Sequence, residues 1–153
     1  MVKSGEGLFI GRFVTKISGK GRVAVPVKLR NGLGDQAIIS QGYQRALFLV
    51  SKPQWEKLTE SLRSQPLTAS PVVRDIERFL FGSAYEVEFD DQGRIVVPQE
   101  LRQFAGLNDR AVFVGLGNRI EIWAKENWEK YEQGLRKNIE DIAGKLDGRI
   151  EVK

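Results

Sequence analysis

The chain has 153 residues, 41% hydrophobic and 29% charged, with 24 basic and 20 acidic side chains. That is an ordinary globular balance, enough for one domain or two small ones. It contains no cysteine and no histidine, which excludes a disulfide framework, a thiolate nucleophile, a Cys/His zinc site and an imidazole general base. No apolar run approaches the roughly 18 residues of a membrane span, and no signal-peptide core follows the first seven residues. A cytoplasmic protein is expected, with no cofactor, no metal, no membrane contact and no small-molecule substrate.

In chain order, a first strand is predicted over about Leu8 to Val14. A tight polar turn follows, Ser18-Gly19-Lys20-Gly21, in which the fourth-position glycine suits positive φ and the serine can bond back to the turn amides. The β-branched run Val23-Ala24-Val25 reads as a strand. Pro26 stops it and opens a short helix reaching about Leu33. Strands over Ala37–Ser40 and Ala46–Val50 flank a hairpin turn at Gln41–Gln44. Pro53 starts a helix whose apolar stripe is Trp55, Leu58 and Leu62. Residues Ser64 to Pro71 form a linker, and a connecting helix runs from Val72 to about Phe81.

The same order then recurs. A strand over about Ala84 to Phe89 leads to the turn Asp90-Asp91-Gln92-Gly93 and the run Ile95-Val96-Val97. Pro98 opens a helix ending near Ala105, before Gly106. Strands over Ala111–Val114 and Arg119–Trp123 flank the turn Gly115–Asn118. In the last helix, Trp128, Tyr131, Leu135, Ile139, Ile142 and Leu146 form a heptad-like seam. The seam can serve as a subunit interface or pack on the chain's own sheet. The tail past Leu146 is expected to be loose.

The recurrence is also literal. Gly21-Arg22-Val23-Ala24-Val25-Pro26-Val27-Lys28-Leu29-Arg30 and Gly93-Arg94-Ile95-Val96-Val97-Pro98-Gln99-Glu100-Leu101-Arg102 share G-R-[VI]-x-V-P-x-x-L-R at an offset of 72. Gln54-Trp55-Glu56-Lys57 and Asn127-Trp128-Glu129-Lys130 repeat at 73. The expected fold is α+β: a first repeat over 8–64, a linker and connecting helix over 65–82, a second repeat with a long C-terminal helix over 83–146, and a tail over 147–153. A unit of about 50 residues of short strands buries too little core alone, so two interleaved units are expected.

Charge is unevenly placed. Residues 1–65 carry eleven basic and four acidic side chains, against 13 and 16 in the remainder. Between Leu8 and Gly34, Arg12, Lys16, Lys20, Arg22, Lys28 and Arg30 occur without one acid, an electrostatic footprint for a polyanion. Arg22, projecting from a rigid turn, suits two-pronged contact with phosphate or a guanine edge. Arg94 follows Asp90 and Asp91, so an Asp90–Arg94 pair holding the turn competes with a DNA role there. Trp55, Trp123 and Trp128 read as core or interface anchors. Gly115-Leu116-Gly117 is too short for a phosphate loop, and no convergent acid/base set suggests an enzyme.

The doubled motif, the Trp-Glu helices and Glu77-Arg78-Phe79-Leu80-Phe81-Gly82 together resemble the MraZ family of bacterial transcriptional regulators, over about Leu8 to Leu146. The resemblance implies two tandem AbrB-like swapped-hairpin units forming a pseudo-twofold, β-barrel-like core. It also implies binding of double-stranded DNA at promoter direct repeats upstream of the division and cell-wall gene cluster, including the chain's own gene. A homo-oligomeric ring and nucleoid association follow from the same likeness. The family's paired signature is D-x-x-x-R. Asp90 and Arg94 match it; in the first copy Ser18 replaces the aspartate and Arg22 is retained. The motif turns are thus Ser18 and Gly21, and Asp90 and Gly93. Arg22 is expected as the working DNA contact, with Lys20 beside it and Arg12, Lys16, Lys28, Arg30 and Arg94 contributing. The alternative is an antitoxin-like or structural protein-interaction module without specific DNA binding.

Overall fold

The computed structural model describes residues 8–68 and 70–146; the first seven residues and the tail expected to be loose lie outside the described residues. The elements run β1 (Arg12–Lys16), β2 (Arg22–Ala24), α1 (Val27–Arg30), β3 (Gln36–Gln41), β4 (Leu47–Ser51) and α2 (Lys52–Arg63). After α3 (Pro71–Phe81) the order repeats as β5 (Tyr85–Glu88), β6 (Arg94–Val96), α4 (Gln99–Ala105), β7 (Arg110–Gly115), β8 (Ile120–Ala124) and α5 (Lys125–Gly144). The fold is α+β, with an antiparallel sheet and a long C-terminal helix.

The two copies build their sheets from each other's strands. The six-stranded sheet has the order β1-β7-β8-β4-β3-β5, and β2 pairs with β6 as a separate two-stranded ribbon. Thus β1 of the first copy lies on β7 of the second (Phe13 opposite Phe113), and β5 of the second lies on β3 of the first (Ala37 opposite Val87). Exchanging the copies leaves the order unchanged, with the centre between β4 and β8, where Leu47 faces Ile122. The ribbon obeys the same symmetry: Val23 faces Ile95. Val25 donates its N–H to the Gly93 carbonyl (3.1 Å), and Val97 donates to that of Gly21 (2.9 Å).

One core results, because period-two side chains from both copies point to the same interior. Val23, Leu29, Ile39 and Leu49 of the first copy and Ile95, Leu101, Phe113 and Ile122 of the second belong to one buried cluster. None of these eight exposes more than 1% of its surface.

Three details differ from the sequence-based expectation. The first strand begins at Arg12, not Leu8, because Gly11 takes φ +96° and bends the chain; before the bend, Phe9 makes a lone two-way bridge to Gly117 (both bonds 2.8 Å). Helix α1 ends at Arg30 and continues as turns to Leu33, since Asn31 and Gly32 are poor helix formers. On α2 the buried position is Thr59, while Leu58 is exposed; the Thr59 hydroxyl donates to the Trp55 carbonyl (2.7 Å), which satisfies it inside the helix. For the seam of α5, where the sequence leaves interface and self-packing both open, no residue of the helix is buried. Trp128 and Tyr131 pack on Trp123 of β8, but Ile139, Ile142 and Leu146 stay exposed.

Candidate nucleic-acid interface

The two motif turns share one backbone and differ in one side chain. In each, the fourth-position glycine adopts positive φ, +77° at Gly21 and +74° at Gly93, a region open to glycine. Each turn closes with the glycine N–H on the first residue's carbonyl: Gly21 on Ser18 at 2.9 Å, Gly93 on Asp90 at 3.0 Å. Ser18 Oγ accepts the Arg22 N–H at 3.2 Å. Asp90 Oδ1 accepts the N–H groups of Gln92 (2.8 Å) and Arg94 (2.9 Å). A serine therefore keeps the turn geometry that the aspartate supports in the second copy.

The charge state of the two turns is opposite. Asp90 Oδ2 takes the Arg94 Nε–H at 2.8 Å. The Asp90 carboxyl is held below its ordinary pKa, first by the backbone N–H of Arg94, then by that residue's guanidinium and the Gln92 N–H. Arg94 is thus neutralised within its own turn. Ser18 brings no charge, and the Arg22 side chain has no hydrogen-bond or ion-pair partner among the described residues.

Both arginines lie on one face. In the β2–β6 ribbon Arg22 is opposite Val96 and Ala24 is opposite Arg94. Val23 and Ile95 point into the core, so Arg22, Ala24, Arg94 and Val96 form the outer face, with Val96 50% exposed. Ribbon spacings put the two arginine Cα atoms about 8 Å apart on the diagonal. A two-stranded ribbon is narrow enough to enter the major groove of B-DNA.

The other expected cations divide. Lys20 is exposed at the turn itself, and Lys28 is exposed on α1. Lys16 is exposed on the edge strand β1 directly opposite Arg110 of β7; like charges held opposite each other are unfavourable without an anion nearby. Lys16 precedes Ile17, whose backbone bridges to Val23, so this pair borders the ribbon. Arg12, by contrast, is ion-paired with Glu132 of α5, which also receives Arg136. Arg30 turns away from the first-copy turn: a Cβ placed on Gly93 would overlap its guanidinium. Arg102 reciprocates, lying over Gly21.

Arg102 and Arg110 were not among the residues expected from the sequence. Arg102 had a signal: the repeated motif both begins with the glycine and ends with the arginine, and those two ends meet across the copies. Arg110 had none, since only strand pairing brings it to Lys16. Among the described residues no group of three or more acidic side chains is placed to hold a metal ion, and no helix is long and apolar enough to cross a membrane.

Comparison with known proteins agrees with this doubled architecture. The family model described as "MraZ protein, putative antitoxin-like" matches twice, over residues 8–78 and 80–150. The chain is similar to the transcriptional regulator MraZ of Acetivibrio thermocellus, with 41% identity over 139 residues, 91% of this chain and 96% of that protein. It is 40% identical to the protein of that name from Natranaerobius thermophilus and 38% identical to the one from Oenococcus oeni, each over 91% of this chain and 96% of the relative. With two copies of one family model spanning nearly its whole length and relatives of this similarity along it, the chain belongs to the MraZ family.

Proposed function

We propose that this chain is a sequence-specific DNA-binding transcriptional regulator, and that its first-copy turn and the outer face of the β2–β6 ribbon meet the duplex. One observation carries the reading: Arg22 stands on that face without an acid partner among the described residues, whereas the equivalent Arg94 is neutralised by Asp90. Lys20 and Lys16 add charge nearby, which supports phosphate contact; base-edge contacts from the ribbon would supply sequence choice. The relatives' names as transcriptional regulators favour the same conclusion.

The finer points rest on the family likeness. The targets are direct repeats upstream of the division and cell-wall gene cluster, including the chain's own gene. A repeat spacing of about one helical turn, ~10 bp, keeps successive contacts on one side of the duplex. The exchange of strands between copies supports an AbrB-like swapped-hairpin reading of the two repeats, 8–64 and 83–146. The exposed seam of α5 favours assembly into a homo-oligomer, a ring by likeness. Such a regulator acts in the cytoplasm at the nucleoid and needs no catalytic group.

The test is an Arg22→Ala variant that stays folded and keeps its assembly state. Affinity for the upstream duplex is expected to fall by about 1–3 kcal/mol; undiminished affinity refutes the assignment. The same apolar seam favours a second reading, a protein-interaction module that does not bind specific DNA. A salt-titrated mobility-shift assay separates the two, because that module gives no specific shift.

A further inference from the structure

We infer that Arg102, contributed by the second copy, completes the anion-binding surface of the first-copy turn and contacts a phosphodiester of the DNA backbone there, while its counterpart Arg30 does not touch DNA. The inference rests on the DNA-binding reading above and assigns to that site a residue from the opposite half of the chain.

Packing and charge together point to it. The Arg102 guanidinium lies over Gly21, the residue between Lys20 and Arg22. Three cations from two distant segments therefore converge on one turn. Arg102 is half-buried, and its side chain has no hydrogen-bond or ion-pair partner among the described residues. A guanidinium carries five N–H donors and no acceptor. One that is partly withdrawn from water without an acceptor is stabilised by an incoming anion, and phosphate matches its fork geometry.

The pseudo-symmetric position supplies an internal comparison. Arg30 makes the same packing contact with Gly93, in a shallow cavity of about 570 Å³ also lined by Asp35, Asp90 and Asp91. Asp90 is already paired with Arg94, and the two carboxylates left over, Asp35 and Asp91, outnumber the Arg30 guanidinium and repel phosphate. The corresponding cavity at the first turn, about 660 Å³, is lined by Arg102 with Ser18, Gln99, Gln103 and a single acid, Asp109. Next to Asp109 stands Arg110, and Lys20 and Arg22 flank the glycine. Equal packing with opposite surroundings separates a structural arginine from one free to bind an anion.

The experiment compares Arg102→Gln, Arg102→Lys and Arg30→Gln in the full chain. Each is titrated with salt against a duplex from upstream of the chain's own gene and against an unrelated duplex of equal length. A phosphate contact carries no sequence information. Arg102→Gln is therefore expected to weaken both duplexes by a similar factor and to reduce the slope of log K on log salt by about 1. Arg102→Lys is expected to retain the slope. Arg30→Gln is expected to leave slope and affinity unchanged while shifting the melting temperature as Arg102→Gln does. An unaltered slope in Arg102→Gln, or an equal loss of DNA affinity in Arg30→Gln, overturns the inference. If Arg102→Gln does not fold, Gln99→Glu places a carboxylate in the same cavity; it is expected to weaken both duplexes, and unchanged binding overturns the inference. If the wild-type chain binds neither duplex, the DNA-binding reading itself falls, an outcome distinct from wild-type binding that the Arg102 variants leave intact.

Discussion

Arg102 of the second copy covers Gly21 of the first, and Arg30 of the first covers Gly93 of the second. Each turn is thus clamped by a residue from the opposite half of the chain. Gly21→Ala must place a Cβ at φ +77°, where an L-residue costs roughly 1–2 kcal/mol, and must also displace the guanidinium. We expect Gly21→Ala to lower unfolding free energy by more than that strain alone. The loss should be less than additive with Arg102→Ala, which clears the space. Chemical denaturation of the two single variants and the double variant measures the coupling; strict additivity would show that the clamp does not bear on the glycine.

Ser18 is the substitution that separates the two turns. Ser18→Asp recreates in the first copy the carboxylate that neutralises Arg94 in the second. Stability is expected to rise by a few tenths of a kcal/mol to about 1 kcal/mol, the range of an exposed ion pair. Affinity for DNA is expected to drop, because the new acid occupies Arg22 and repels phosphate. A variant that binds DNA as tightly as wild type would show that Arg22 does not depend on being unpaired.

The acid side of the stability profile should report on Asp90. Its carboxyl sits below the ordinary pKa in the folded chain, so the stability it contributes is fully present above its unfolded pKa and is lost as pH falls through the folded one. Wild type and Asp90→Ser are expected to differ by a constant amount near neutral pH. The gap should close as pH drops below about 4, the unfolded carboxylate range. Thermal melts across that window decide it: a gap that survives full protonation would assign the effect to side-chain shape rather than charge.

The seam of α5 makes a separate prediction. Ile139 is 51% exposed, Ile142 39% and Leu146 42%. Ile139→Asp with Ile142→Asp should therefore leave the chain's own core intact and reduce the mass of the assembly. Light scattering after gel filtration reads the mass, and near-UV circular dichroism checks the core. An unchanged mass would show that subunits join through another surface.

Much of this could be read from residues alone, and what could not has a common cause. The repeated motif announced two equivalent units, and hydrophobic periodicity placed the strands and helices close to where they lie. Side-chain patterns describe one strand at a time, however, and say nothing about which strand is its neighbour. The pairing of β1 with β7, the shared face of Arg22 and Arg94, and the crossing of Arg30 and Arg102 all depend on that neighbour. The backbone detail of the β3–β4 hairpin was equally out of reach. The tight turn runs through Gln44 and Arg45, with φ of +55° and +64°, rather than through Gly42. Gly42 is there for clearance: a Cβ on it would come within 2.9 Å of the Ala46 carbonyl. Arg45 is held at its unusual angle in part by donating to the Phe104 carbonyl at 3.0 Å.

The exchange of strands also governs how the molecule comes into being. Val23 finds its ribbon partner in Ile95, so β2 emerges from the ribosome with only its turn-closing bridge to Ile17 until some seventy further residues have been made. At about 5–20 residues per second that interval is roughly 4–14 s. Throughout it the nascent first half presents unpaired edges that match the second half of any neighbouring chain as well as its own. Several ribosomes working on one message would bring such halves close together, so the same symmetry that joins the copies within one chain also offers a route to subunits that trade halves as they are synthesised.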